Sequence, residues 1–373
     1  MGKRFAFANQ LRGVASLCVV VNHLAGVYWT EPQLVAASIC SAAVSGAAPP
    51  FTVLAAGRGY NLGPFGVALF FLISGFVIPI SLERQTRAGF LLARAFRIYP
   101  AYMVALAIEL GVVALSAALW HQPAIVHPRL ILANLLLITD IVNVPSIDLV
   151  NWTLTIELKF YLLIAALAPL IRRGSLLTLF AVAAVILFVS AYSRAIFLLA
   201  PFLGNALRIF ESNALYLLYM LIGVVFSYHA RRLIGDARAA ASVIALFAAF
   251  VVCWPLTFFR AGFPDVTLNY AWALLVFGGM YLLRRSVRDL RAAGFFASIS
   301  YPLYLVHALV GFSVMSALIG ARQNAIFATL AGFTAAVALA LVLHHAVELP
   351  SQAYGKSLAT RIFGTRDSSP TQA

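Results

Sequence analysis

The chain has 373 residues, of which 63% are hydrophobic and 10% charged, against roughly half and a quarter in ordinary soluble domains. Mean hydropathy is +0.95 and formal net charge is +14. These values exclude a soluble enzyme, a disordered chain and a nucleic-acid binder, and they predict an all-α polytopic membrane protein.

A transmembrane helix needs about 20 apolar residues. Apolar runs between breakers predict ten spans, over 9–29, 63–82, 98–119, 152–171, 175–192, 212–229, 239–258, 267–283, 297–319 and 325–346. The first follows Lys3 and Arg4, is interrupted by His23 and lacks a small-x-small cleavage site, so it reads as an uncleaved anchor. Residues 30–62, 121–150 and 194–211 fit the count less well and read as re-entrant or interfacial segments, with Arg194, Arg208 and Glu211 in the last. Residues 358–373 read as a polar, disordered cytoplasmic tail after a membrane domain over 1–357. No fixed-period repeat and no appended soluble domain are expected. Cys18, Cys40 and Cys253 share no close spacing, which predicts neither a disulfide framework nor a metal site.

Orientation follows from the basic residues. With a cytoplasmic N-terminus, nineteen of the 26 Lys and Arg fall on inner segments. Six fall on outer ones: Arg58, Arg129, Arg194, Arg208, Arg260 and Arg322. That bias places both termini in the cytoplasm.

Ionisable groups within spans are costly and mark candidate sites. In RGVASLCVVVNH, Arg12 and His23 stand about 16 Å apart along a helix. Arg12 reads as an anion clamp or topology anchor near the inner surface, and His23 as a general base or a hydrogen-bonded interior histidine. Glu157, in NWTLTIELKFYLL, lies at a depth similar to His23, where a carboxylate would orient an imidazole and stabilise its protonated form. A Glu157–Lys159 pair is disfavoured because residues two apart do not share a helix face.

Ser74-Gly75 lies in a Phe-rich span and allows close approach of a backbone or a ligand chain. Arg94 and Arg97 share one helix face, with Arg84 and Arg87 just before them; such a cluster serves topology or binds phosphate. Pro100 is expected to reset the chain into the third span. Ser300, Tyr304 and His307 recur along one face of the ninth span as a polar stripe. Glu348 lies just past the tenth, beside His344 and His345, where capping or pairing with Arg is as good a reading as function.

Six segments in order, QLRGVASLCVVVNHL, FFLISGFVI, FLLARAFRIYPAY, NWTLTIELKFYLL, SISYPLYLVH and VELP, together resemble the integral-membrane acyltransferase-3 family over about residues 8–357. The resemblance implies an acyl-CoA-dependent O-acyltransferase of the bacterial inner membrane, acting on hydroxyls of surface or exported carbohydrates. Its motif positions fall on Arg12, His23, Ser74, Gly75, Arg94, Arg97, Glu157 and His307. Two departures stand out: Thr153 in place of Ser, and the added charge of Lys159.

The expected chemistry has acyl-CoA, most simply acetyl-CoA, as co-substrate, with no metal. Its phosphates would meet Arg12, Arg94 and Arg97, and its pantetheine arm would pass Ser74 and Gly75. His23 would act as base with Glu157 behind it, and Ser74 or Tyr304 would donate to the oxyanion, with Ser300 and His307 nearby. The acceptor would be a carbohydrate, lipid-linked or polymeric. The rival class, a transporter or flippase, should show repeated halves with matching helix breaks, which the sequence lacks.

Overall fold

The computed structural model describes residues 6–123, 127–286 and 290–364. The described chain is nearly all helix; its strands are one short hairpin, β1 (Ala56–Gly57) against β2 (Tyr60–Asn61). The helices in chain order are α1 (Ala6–Val21), α2 (Tyr28–Thr30), α3 (Pro32–Ile39), α4 (Leu62–Leu82), α5 (Arg87–Trp120), α6 (Pro128–Leu135), α7 (Trp152–Ala166) and α8 (Ala168–Arg172). Then come α9 (Leu176–Leu199), α10 (Gly204–Ala230), α11 (Asp236–Cys253), α12 (Phe263–Leu282), α13 (Arg291–Ser298), α14 (Ser300–Gly320), α15 (Ala325–Leu343) and α16 (Leu349–Phe363). π-Helical segments at Asn22–Val27 and His344–Glu348 interrupt the first and last long helical runs.

Among the described residues, eight helical stretches are long and apolar enough to cross a membrane. The spans expected at 152–171 and 267–283 are helical too. One is split at Leu167 into α7 and α8, and the other, α12, carries Asp265 and Asn269 in its first half. The protein is an all-α, multi-pass membrane protein.

Three expectations change. α5 runs unbroken through Pro100, which is tolerated inside a membrane helix where neighbouring groups re-satisfy the freed carbonyl. Residues 194–211 form no re-entrant segment: α9 continues to Leu199 and α10 starts at Gly204, so Arg194 and Arg208 sit near helix ends and Glu211 lies two turns into α10. α16 continues to Phe363, so 358–363 are helix rather than disordered tail. Lys3, Arg4, Arg288 and the 365–373 tail lie outside the described residues.

The chain divides into two compact units. The first comprises 1–69, 97–154 and 268–353. Its core is α1 against α13 and α14, with α15 on α14. Gly13 makes the first contact possible, since a Cβ there would fall 2.0 Å from the Ala293 carbonyl oxygen. The second unit comprises 70–96, 155–267 and 354–373. It is built on α10, which packs against α9 and α11. Gly75 and Gly223 meet where α4 crosses α10, and a Cβ on Gly75 would lie 2.1 Å from the Met220 oxygen. Small residues let membrane helices gain dispersion contacts that the hydrophobic effect does not supply there.

Candidate functional site

In the first unit, α1 passes into the π segment with Asn22, and successive side chains there reach different neighbours. Asn22 Nδ2 donates to Asn61 Oδ1 at 2.8 Å, and the Asn61 amide donates to Asn269 Oδ1 at 2.7 Å. The Gly63 amide donates to the same Asn61 oxygen at 2.9 Å. The hairpin and the start of α4 are thereby tied to the π turn that carries His23. A π turn in a membrane helix commonly marks a functional position.

His23 Nδ1 lies 2.7 Å from His307 Nε2, with ring centroids 4.9 Å apart. The far nitrogen of His307 fixes the protons of the pair. His307 Nδ1 is 3.0 Å from the Leu303 carbonyl oxygen and 2.9 Å from that of Tyr304. Carbonyls only accept, so His307 Nδ1 carries a proton. In the neutral ring Nε2 is then the acceptor, and His23 Nδ1 must donate to it. The network thus assigns the tautomers and leaves a lone pair on His23 Nε2. His307 is fully buried whereas His23 is only half-buried. A deep imidazole therefore steers a more accessible one.

The polar stripe of α14 is present, but its hydroxyls are engaged. Ser300 Oγ donates to the Ala297 carbonyl at 2.9 Å. Tyr304 Oη lies 2.8 Å from Thr153 Oγ1, which donates to the Val150 carbonyl at 3.0 Å. Thr153, which stands where Ser was expected, thus supplies the partner of Tyr304. Arg12 on α1 and Arg97 on α5 are half-buried in this unit.

The second unit holds a different cluster. Glu157 Oε1 accepts from Tyr161 at 2.6 Å and from Ser74 at 3.3 Å. The Arg94 guanidinium lies 5.3 Å from the centroids of both Phe90 and Tyr161, and donates to Ser81 Oγ at 2.5 Å. Lys159 donates to Asn213 Oδ1 at 2.8 Å, which accounts for its charge within a span. Gly75, expected beside a ligand chain, instead has its open face filled by the α10 backbone. Within the first unit the neighbour of the His23 ring is the imidazole of His307.

Two acids of the first unit stand apart from the histidine pair. Glu109 and Asp148 are both buried. Burial raises the Asp148 carboxyl well above the usual carboxylate range, against the opposing pull of the Leu149 and Val150 amides. Glu348 is also buried, but it is partnered: its Oε2 lies 2.6 Å from His344 Nδ1 and its Oε1 accepts from Gln352 at 2.8 Å. It resolves as a local brace. The sequence signals Tyr161, four residues after Glu157, through helical spacing; nothing local signals Asn61, Asn269 or the His23–His307 contact.

Comparison with known families matches residues 5–345 to the acyltransferase domain family, acyltransferase 3. No curated protein and no solved structure matches the chain. A match of that extent carries the motif-bearing helices of both units, and the chain belongs to the acyltransferase-3 family of membrane acyltransferases.

Proposed function

We propose that the protein is an O-acyltransferase of the bacterial inner membrane that moves an acyl group, most simply acetyl, from cytoplasmic acyl-CoA to a hydroxyl of a surface or exported carbohydrate. The observation that carries this reading is the His23–His307 pair, because its proton arrangement leaves Nε2 unprotonated on the half-buried His23 ring. That is the state a general base requires.

In the proposed step, His23 Nε2 removes the acceptor's hydroxyl proton as that oxygen attacks the thioester carbonyl carbon. The carbon–sulfur bond then breaks, and the CoA thiolate leaves with the proton returned by His23. While His23 is an imidazolium, His307 Nε2 accepts its Nδ1–H and the Leu303 and Tyr304 carbonyls hold His307 in place. His307 is therefore a positioning residue, in the role that a carboxylate fills in a Ser-His-Asp triad. Arg12 and Arg97 are the proposed contacts for CoA phosphates, a task that suits guanidinium geometry.

The test is release of free thiol from acetyl-CoA by the purified protein in detergent, with His23→Ala beside the wild type. Thiol release by the wild type alone supports the reading. Equal release by both overturns the role of His23. A wild type that neither releases thiol nor binds CoA overturns acyl-CoA dependence.

A further inference from the structure

The outer segments hold six basic residues under the charge bias of the sequence, and three of those six line one cavity. Arg194 near the end of α9, Arg208 near the start of α10 and Arg260 in the turn after α11 surround a space of about 550 Å3 within the second unit. Its size falls in the range of small-molecule sites. α9 has 24 residues, about 36 Å of helix, so this end lies a full bilayer away from the Arg172–Arg231 end of the same unit. At that other end the arginines are tied into the fold. Arg172 donates to the Leu82 and Gln85 carbonyls, and Arg231 pairs with Glu83 at 2.5 Å. Topology gives no reason to gather guanidiniums at the cavity end, where the positive-inside rule depletes them.

The rest of the lining narrows the ligand. Glu211, buried among the lining residues, is the one carboxylate against three guanidiniums, so the described wall keeps a positive excess. Asn205 Oδ1 accepts from Arg208 at 2.9 Å and helps hold its guanidinium. Phe197, Leu207 and Leu256 supply apolar walls. On the adjoining surface Leu199 and Phe202 are 87% and 85% exposed. Charged groups converge on a space that opens onto apolar surface.

We propose that this cavity binds a phosphate-bearing lipid, with the phosphate among Arg194, Arg208 and Arg260 and the chains along Phe197, Leu199 and Phe202. A phosphate offers several oxygens to guanidinium donors, whereas a neutral headgroup does nothing to balance the positive excess of the wall. The assignment is independent of the acyl-transfer reading, since it uses none of that reading's residues.

The test is calorimetric titration of the full chain in a neutral detergent with three probes: dioctanoyl phosphatidic acid, dioctanoyl phosphatidylcholine and inorganic phosphate. Saturable binding of the phosphatidic acid is expected, weakened about tenfold by Arg194→Gln and by Arg260→Gln, as loss of one charge-assisted hydrogen bond implies. Both side chains are exposed, so these variants are expected to fold. Arg58→Gln, another outer arginine, and His23→Ala are expected to bind like the wild type. Absence of saturable binding, or equal binding by the cavity variants, overturns the site. Phosphatidylcholine binding as tightly overturns the phosphate, and inorganic phosphate binding as tightly overturns the lipid.

Discussion

The first unit contains two π-helical segments, and each presents a histidine to a hydrogen-bonding partner. At His344–Glu348 the partner is four residues along the same helical run, and Gln352, four further on, occupies the other carboxylate oxygen. At Asn22–Val27 the partner of His23 is His307, on a different helix and 284 residues away in sequence. The first arrangement closes on itself and leaves the buried Glu348 satisfied. The second leaves one nitrogen of a half-buried ring without a proton and orients that ring from behind. The same helical irregularity thus closes a local brace in one place and, in the proposed function, orients the base in the other. What separates them is whether the partner comes from the same helix.

The sharpest way to break this contrast is to remove each histidine in turn. His23→Ala is expected to lower thiol release at least about 1,000-fold, within the range for loss of a general base, with the thermal midpoint nearly unchanged. His344→Ala is expected to leave turnover within about threefold and to lower the midpoint by several degrees, as loss of a buried hydrogen bond does. If His344→Ala also abolished turnover, the two segments would not differ as argued.

His307→Ala comes next. A positioning partner should affect the chemical step, so kcat is expected to fall about 100-fold while KM for acetyl-CoA changes little. A rise in KM without loss of kcat would reassign His307 to substrate binding. Glu348→Gln keeps the Gln352 contact and loses charge, and a fall of a few degrees in midpoint with unchanged kcat is expected.

The last prediction concerns pH, at an acid raised by burial. In the folded chain Asp148 stands above the value of about 3.9 for an unperturbed carboxyl. Above about 4 the folded state therefore holds a proton that the unfolded state has lost, so stability falls as pH rises until the folded carboxyl ionises, and then levels. Asp148→Asn is expected to flatten that slope and raise the thermal midpoint at pH 8 by a few degrees. A variant with the wild-type slope would show that Asp148 does not titrate in this way.

The features legible in the sequence were those set by local spacing. Apolar runs locate the helices because span length is fixed by the bilayer, and His23, His307 and Glu157 stand out because ionisable groups within spans are rare. Their partners were legible only over short range: Tyr161 is one helical turn from Glu157, whereas His23 and His307 meet through the packing of α14 beside the π turn. The ends of helices were least legible. Pro100 reads as a boundary by propensity, yet α5 continues through it. Arg194 and Arg208 read as interruptions of an apolar stretch, yet they sit in the second turns from the end of α9 and the start of α10. Gly75 reads equally as ligand contact or packing until Gly223, 148 residues later, occupies the space.

The two carbonyl oxygens that face His307 Nδ1 have one more consequence. A histidine backed by a carboxylate would carry a full negative charge through every idle moment, at a depth where isolated charge is expensive. A histidine backed by a neutral histidine, itself anchored on peptide groups of its own helix, idles without net charge. In the proposed step the ion exists only during turnover, so the bilayer opposes the pair while it works and not while it waits.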